Sequence, residues 1–254
     1  MQGTHRRVAT ADSVLFDGTT PIPEFTQRFG DSTAVLISIP PDGKECPVLQ
    51  HHLHDLQQWP ALQWVGYLST TGVYGDWQGE WVNEESPLRA ATPRTKARVA
   101  AEDAWRGSGL PVHIFRLAGI YGPHRNALED VKAGTTRSIH KDGQVFSRIH
   151  VEDIAHTLAT SLEKPHPGRI YNVCDHLPTP PAAPIHYACE LLGIAPPPLI
   201  PWEQAGLSPM GLSFYQECKR VRNSRLVEEL GVVLRYPTYK EGLDSLYSTM
   251  ENSA

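Results

Sequence analysis

Short runs of β-branched and aliphatic residues alternate with longer stretches in which apolar residues recur every three or four positions, and that alternation predicts a parallel α/β sheet. Residues 34–38, Ala-Val-Leu-Ile-Ser, are apolar at consecutive positions, as an inner parallel strand covered on both faces should be, and Pro40-Pro41 ends the run. Residues 13–16, 63–68, 112–117 and 170–173 read as further strands. Helices are expected between them at 48–59 and from Pro93 to Gly107, the second capped by Thr92. Val151, Ile154, Ala155, Leu158, Ala159 and Leu162 fall on one helical face, the clearest amphipathic pattern in the chain. Past Asn172 the chain is Pro-rich from Pro178 to Pro201, broken by a helix near 185–192 that Gly193 caps. A last helix is expected at 223–230, closed by Gly231.

A length of 254 residues allows one or two domains with a real core. Lys and Arg total 23 against 28 Asp and Glu, and this net charge of -5 argues against general affinity for nucleic acid or an anionic membrane. No apolar run approaches the ~18 residues that cross a bilayer, and Met-Gln-Gly-Thr-His-Arg-Arg lacks the apolar stretch of a secretory signal, so a cytoplasmic location is expected. Cys46, Cys174, Cys189 and Cys218 match neither a zinc or redox spacing nor a disulfide framework and are expected to be reduced. His51, His52 and His54 offer a metal pair from one helix face but no third ligand at a diagnostic spacing, so a surface helix is the simpler reading. Trp64, Trp77, Trp81 and Trp105 read as core and interface anchors, and no Walker loop occurs.

The chemistry concentrates after the 63–68 strand, in Ser69-Thr70-Thr71-Gly72-Val73-Tyr74-Gly75, because hydroxyls at the carboxyl end of a parallel strand face the crevice where open sheets bind ligands. An acidic turn at Glu84-Glu85, Pro87 and a helix carrying Arg98-Val99-Ala100-Ala101-Glu102 follow. Phe115-Arg116-Leu117-Ala118-Gly119-Ile120-Tyr121-Gly122-Pro123, Ile149-His150-Val151-Glu152-Asp153-Ile154-Ala155, Ile170-Tyr171-Asn172-Val173, Lys219-Arg220-Val221-Arg222-Asn223 and Leu230-Gly231 come later in order. Over residues 3–246 this series resembles the extended short-chain dehydrogenase/reductases, in the atypical branch related to NAD(P)-dependent and nucleoside-diphosphate-sugar epimerases. Its motifs are specific for the superfamily and not for a substrate.

The resemblance implies a Rossmann-like parallel sheet with a small C-terminal α/β lobe: an incomplete NAD(P)-binding domain over 1–125 and a substrate-side lobe over 126–254, of which 145–175 packs back on the core. It implies NADP or NAD as cofactor. It also implies epimerisation, dehydration or reduction of a small polar molecule, nucleotide-sugars among the candidates, and is compatible with a homodimer. Thr70 falls on the family's catalytic Ser/Thr position, while Thr71 and His150 are placed toward the substrate. Ser38, Ile39 and Pro40, with Leu117, Ala118, Gly119 and Ile120, would line adenosine and the nicotinamide ribose.

Two departures qualify the match. Alignment on Val99-Ala100-Ala101-Glu102 puts Arg94 and Arg98 where the family carries its proton-relay Tyr and Lys, and a guanidinium keeps its proton at neutral pH. Arg94 and Arg98, four apart on a helix, can instead hold a phosphate or carboxylate or form a solvated face. The second departure lies at the start, where no glycine-rich turn precedes Ser13. Arg6 and Arg7 look like the end of the family's second strand, where Arg meets a 2'-phosphate and favours NADP, or else form a basic terminus. An N-terminally truncated chain lacking a first βα unit of about 30 residues is therefore expected, with a gap beside the 34–38 strand that something must fill. A non-catalytic dinucleotide or metabolite sensor of the same fold, and an inert fragment, are the alternatives to an enzyme.

Overall fold

The computed structural model describes residues 2–7, 10, 12–43 and 45–252. The chain begins with strands β1 (Gly3–His5) and β2 (Ser13–Leu15), the short helix α1 (Phe25–Phe29), β3 (Ala34–Ile37), α2 (Pro47–Gln57) and β4 (Trp64–Thr70). Next come β5 (Trp81–Val82), α3 (Pro93–Arg106), β6 (Val112–Leu117), β7 (Gly119–Tyr121), α4 (Ala127–Lys132), β8 (Ser138–His140), β9 (Arg148–His150), α5 (Val151–Glu163) and β10 (Ile170–Val173). The C-terminal part adds α6 (Ala183–Leu191), β11 (Leu199–Pro201), α7 (Pro209–Tyr215), β12 (Arg220–Val221) and α8 (Tyr239–Glu251).

Local chemistry fixes the long helices. Thr92 and Thr95 form a reciprocal cap on α3, each hydroxyl accepting the other's backbone N–H at 3.1 Å, and the helix closes where Gly107 N donates to Asp103 O. On α5 the expected apolar stripe does not face the core as a whole: Ile154 is buried, but Val151, Ala155, Ala159 and Leu162 are exposed, and the buried face is completed by Asp153, Thr157, Thr160 and Ser161. At its start His150 Nδ1 accepts the Glu152 N–H at 3.2 Å. The helices pack on a four-stranded parallel sheet of order β10-β6-β4-β3. Trp64, Phe115, Tyr171, Ile149 and Ile154 belong to one core cluster, while Val65, Tyr67, Ile114, Trp105 and Leu56 belong to a second. Alternate residues of β4 and β6 therefore serve opposite layers. Tyr121, Leu128, Tyr239 and Leu243 join α4, α6 and α8 in a third core, and Tyr215 packs with Ile139 and Ala205 in a fourth.

β1 and β2 pair with each other in parallel and are not bonded to the main sheet. Among the described residues β3 is therefore an edge strand, not the inner strand that its apolar run predicts, and Leu36 is 47% exposed because no described element covers it. The expected helix at 223–230 is instead a π-helical turn at 225–229. His52, expected on a surface helix, is buried: its Nε2 accepts the Ile22 N–H and its ring stacks on Phe25. All four cysteines are free thiols. Among the described residues no helix is long and apolar enough to cross a membrane.

Candidate active site

The parallel register gathers the predicted segments at one edge. Thr70 pairs with Leu117, and Leu117 with Val173, so the carboxyl ends of β4, β6 and β10 stand side by side. Beyond β6 the chain continues directly as β7, which pairs in parallel with β9. Ala118 N donates to Val173 O, and Gly119 N to Ser147 O, both at 3.1 Å.

Thr70 leaves β4 in extended conformation and its Oγ1 accepts the Gly72 N–H at 3.1 Å, capping the single 3-10 turn that includes half-buried Thr71. Gly75 ends that turn at φ 65°. Just beneath lies a buried polar network. Arg116 of β6 donates through Nε and Nη2 to Glu102 of α3, the shortest contact 2.7 Å, and through Nη1 to Tyr74 Oη at 2.9 Å. Ser69 Oγ donates to Glu102, Tyr74 Oη to Asn172 Oδ1 at 2.7 Å, and Asn172 N to Glu84 Oε1 at 2.8 Å. Burial pushes Tyr74 up to about 12 and raises Glu84. Burial alone would lower the Arg116 pKa, but hydrogen bonds and the Glu102 charge raise it. This network ties three strands and α3 together behind the crevice, and neither Arg116 nor Glu102 was among the predicted site residues. The visible signal was a lone Arg inside the apolar run Val112–Leu117.

The two arginines of α3 go to separate partners. Arg98, half-buried, donates through Nη1 to Leu68 O at 2.8 Å and Tyr67 Oη at 3.3 Å, while burial raises Tyr67 to about 12. Arg94 is exposed, with its guanidinium 5.2 Å from the Phe214 ring of α7. His150 is buried between Tyr121 and Tyr236, at ring distances of 5.1 and 4.1 Å, and burial lowers its pKa, so the ring is neutral at pH 7. With Nδ1 accepting from Glu152, Nε2 carries the proton and has no partner. Ser38 and Pro40 are exposed beyond β3 and Ile39 is half-buried; Leu117 and Ala118 are buried, whereas Gly119 and Ile120 are exposed. Arg6 and Arg7 follow β1 and are exposed. Among the described residues no group of three His, Cys, Asp or Glu side chains can hold a metal ion.

These residues fit a dinucleotide in part. Segments 38–40 and 117–120 stand at strand carboxyl ends, open to solvent at Ser38, Pro40, Gly119 and Ile120, where riboses can lie. A cradle for the pyrophosphate, a glycine-rich turn opening a helix after a strand, is not among the described residues.

No family model matches the chain. Protein YeeZ of Escherichia coli is 33% identical over 175 residues, which cover 67% of this chain and 58% of that protein, so the match spans less than two thirds of this relative. A conserved protein of unknown function from Silicibacter pomeroyi is 46% identical, with a TM-score of 0.88 over 98% of this chain and 89% of that one. A Methylobacillus flagellatus structure assigned as an NAD-dependent epimerase/dehydratase is 26% identical, with a TM-score of 0.73 over 98% and 89%. The fold is shared with human epimerase family protein SDR39U1, solved with NADPH, at a TM-score of 0.74 and 16% identity over 96% and 90%.

Proposed function

Because the chain belongs to the extended short-chain dehydrogenase/reductase family, in its atypical branch, we propose that it binds a nicotinamide dinucleotide and a polar metabolite together at the carboxyl edge of its sheet, as an NAD(P)-dependent epimerase/dehydratase or reductase. The observation that carries this reading is the register that sets Thr70, Leu117 and Val173 abreast, with 118–120 leading out of the sheet beside them. When bound, the nicotinamide supplies or accepts hydride at a substrate carbon. The Thr70 oxygen already takes the Gly72 N–H, so its hydroxyl hydrogen is free to donate to a substrate oxygen. A guanidinium is a poor proton relay, so any proton transfer runs through another group or water.

Arg6 and Arg7 suit a 2'-phosphate, and the double change Arg6→Ala and Arg7→Ala is expected to weaken NADPH binding while leaving NADH binding unchanged. Fluorescence titration of both dinucleotides checks this; equal loss for the two would remove the NADP preference, and no binding of either would sink the proposal. Turnover is read as a change in nicotinamide absorbance, or in substrate stereochemistry, over a panel that includes nucleotide-sugars.

One observation favours a second reading, binding without turnover. Arg98, at the position of the relay Lys, is tied through Nη1 to Leu68 O and Tyr67 Oη. Saturable dinucleotide binding with no change across the panel would support that sensor role.

A further inference from the structure

We propose that Arg148 is the anion-holding residue of the crevice, its free guanidinium edge receiving a carboxylate or phosphoryl group of the substrate beside Gly119. The inference rests on the reading of the crevice given above and narrows its substrate to an oxyanion-bearing metabolite.

Position comes first. Arg148 pairs with Gly119 across β9 and β7, and a Cβ on Gly119 would lie 3.9 Å from Arg148 Cγ. The arginine stem thus runs along the exposed glycine that leads out of β6, next to the ribose-side segment. Its donors are only partly used. Nη1 donates to Phe146 O at 3.0 Å and to Thr179 Oγ1 at 2.5 Å, which leaves Nε and Nη2 without a hydrogen bond among the described residues. Nε and Nη2 form the edge that takes two oxygens of one oxyanion.

The surroundings compensate that charge only in part. No carboxylate of a described residue lies within ion-pair distance of Arg148, although loss of water lowers its pKa and a desolvated cation calls for a counter-charge. Asp175 is the nearby acid, its N–H donating to Arg148 O at 2.7 Å. One of its carboxylate oxygens accepts the Leu177 N–H, while Oδ2 is buried without a partner. Burial raises Asp175 to about 7 against the opposing field of Arg148, so near neutrality much of it carries a proton and can donate. Tyr121, Tyr239 and Tyr215 contribute neutral phenols, each held above its ordinary pKa by burial. The remaining acids nearby are engaged: Asp153 accepts from the N–H groups of Arg235 and Tyr236, and Glu241 from Thr238. A guanidinium set near three neutral phenols and a partly protonated carboxyl suits an anion.

The test is isothermal titration of the full chain with inorganic phosphate and, separately, malonate, at an ionic strength fixed with chloride. Saturable binding of either is expected. Phosphate alone would identify a phosphoryl group, and malonate alone a carboxylate. Arg148→Met should weaken binding at least about tenfold, whereas Arg235→Ala, on an exposed pair with Glu152, should not change it. If Arg148→Met does not fold, Arg148→Lys, which keeps the charge but loses the fork, should bind about tenfold more weakly. Absence of saturable binding in the wild type, or unchanged affinity in the Arg148 variant that folds, would overturn the proposal. NADPH titration of the same samples separates the two ideas: loss of anion binding with NADPH binding intact removes the role of Arg148 alone, and the converse removes only the dinucleotide reading.

Discussion

Glu102 and Arg116 are both almost fully buried, and their two-pronged contact is completed by Ser69 and Tyr74. Removing one partner strands a desolvated charge, a loss of about 3–5 kcal/mol, whereas replacing both by apolar groups of similar volume costs far less. Glu102→Ala and Arg116→Met are accordingly expected each to lower unfolding free energy by about that amount, with strong coupling in the double variant. Urea unfolding checks this; additive losses would show that the contact holds nothing together. Asp175 makes a prediction with the opposite chemistry. Folded, it keeps its proton up to about pH 7, while the unfolded carboxyl releases it near the ordinary 3.8. Between those values the folded state binds more protons, so stability falls as pH rises through that window and levels off above 7. Asp175→Asn should remove this slope, gaining on the wild type by about 4 kcal/mol at most between pH 4 and 8, at ~1.4 kcal/mol per pH unit. Parallel stability curves for the two proteins would place Asp175 in water.

At the scale of elements, the turn after β4 shows how little backbone freedom the crevice has. Gly75 sits at φ 65°, and a Cβ there would come within 2.0 Å of Arg89 O, a backbone atom that cannot swing aside. Gly75→Ala is expected to cost over about 2 kcal/mol, because a strained φ and a collision act together; a melting temperature equal to the wild type's would contradict it. Elements of this kind were unevenly legible in the sequence. The strands at 112–117 and 170–173 and the capped helix from Pro93 were read at their observed limits, since apolar runs and capping residues are local signals. Strands β5, β8, β11 and β12 were not read, because two or three residues carry no period and their pairing is set by contacts across the fold. The site followed the same division. The placement of Thr70 and 117–120 at strand carboxyl ends is legible from their position after a strand, but the Arg116 and Glu102 network joins residues far apart in sequence. Arg148 was hidden inside a motif otherwise read for its histidine.

The whole molecule is organised by a sheet with two unequal margins. β6 is bonded on both sides, whereas among the described residues β3 is bonded only to β4, and β1 and β2 form their own pair. The second side of β3 therefore offers main-chain N–H and C=O groups without strand partners, and the exposed Leu36 lies in the same short segment. Backbone amides in such an edge open to water more readily than those of an inner strand. Hydrogen exchange of the dilute protein should consequently label peptides over 34–37 faster, by an order of magnitude or more, than peptides over 112–117. Exchange at 34–37 as slow as at 112–117 would contradict the open edge and mean that the second side of β3 is covered.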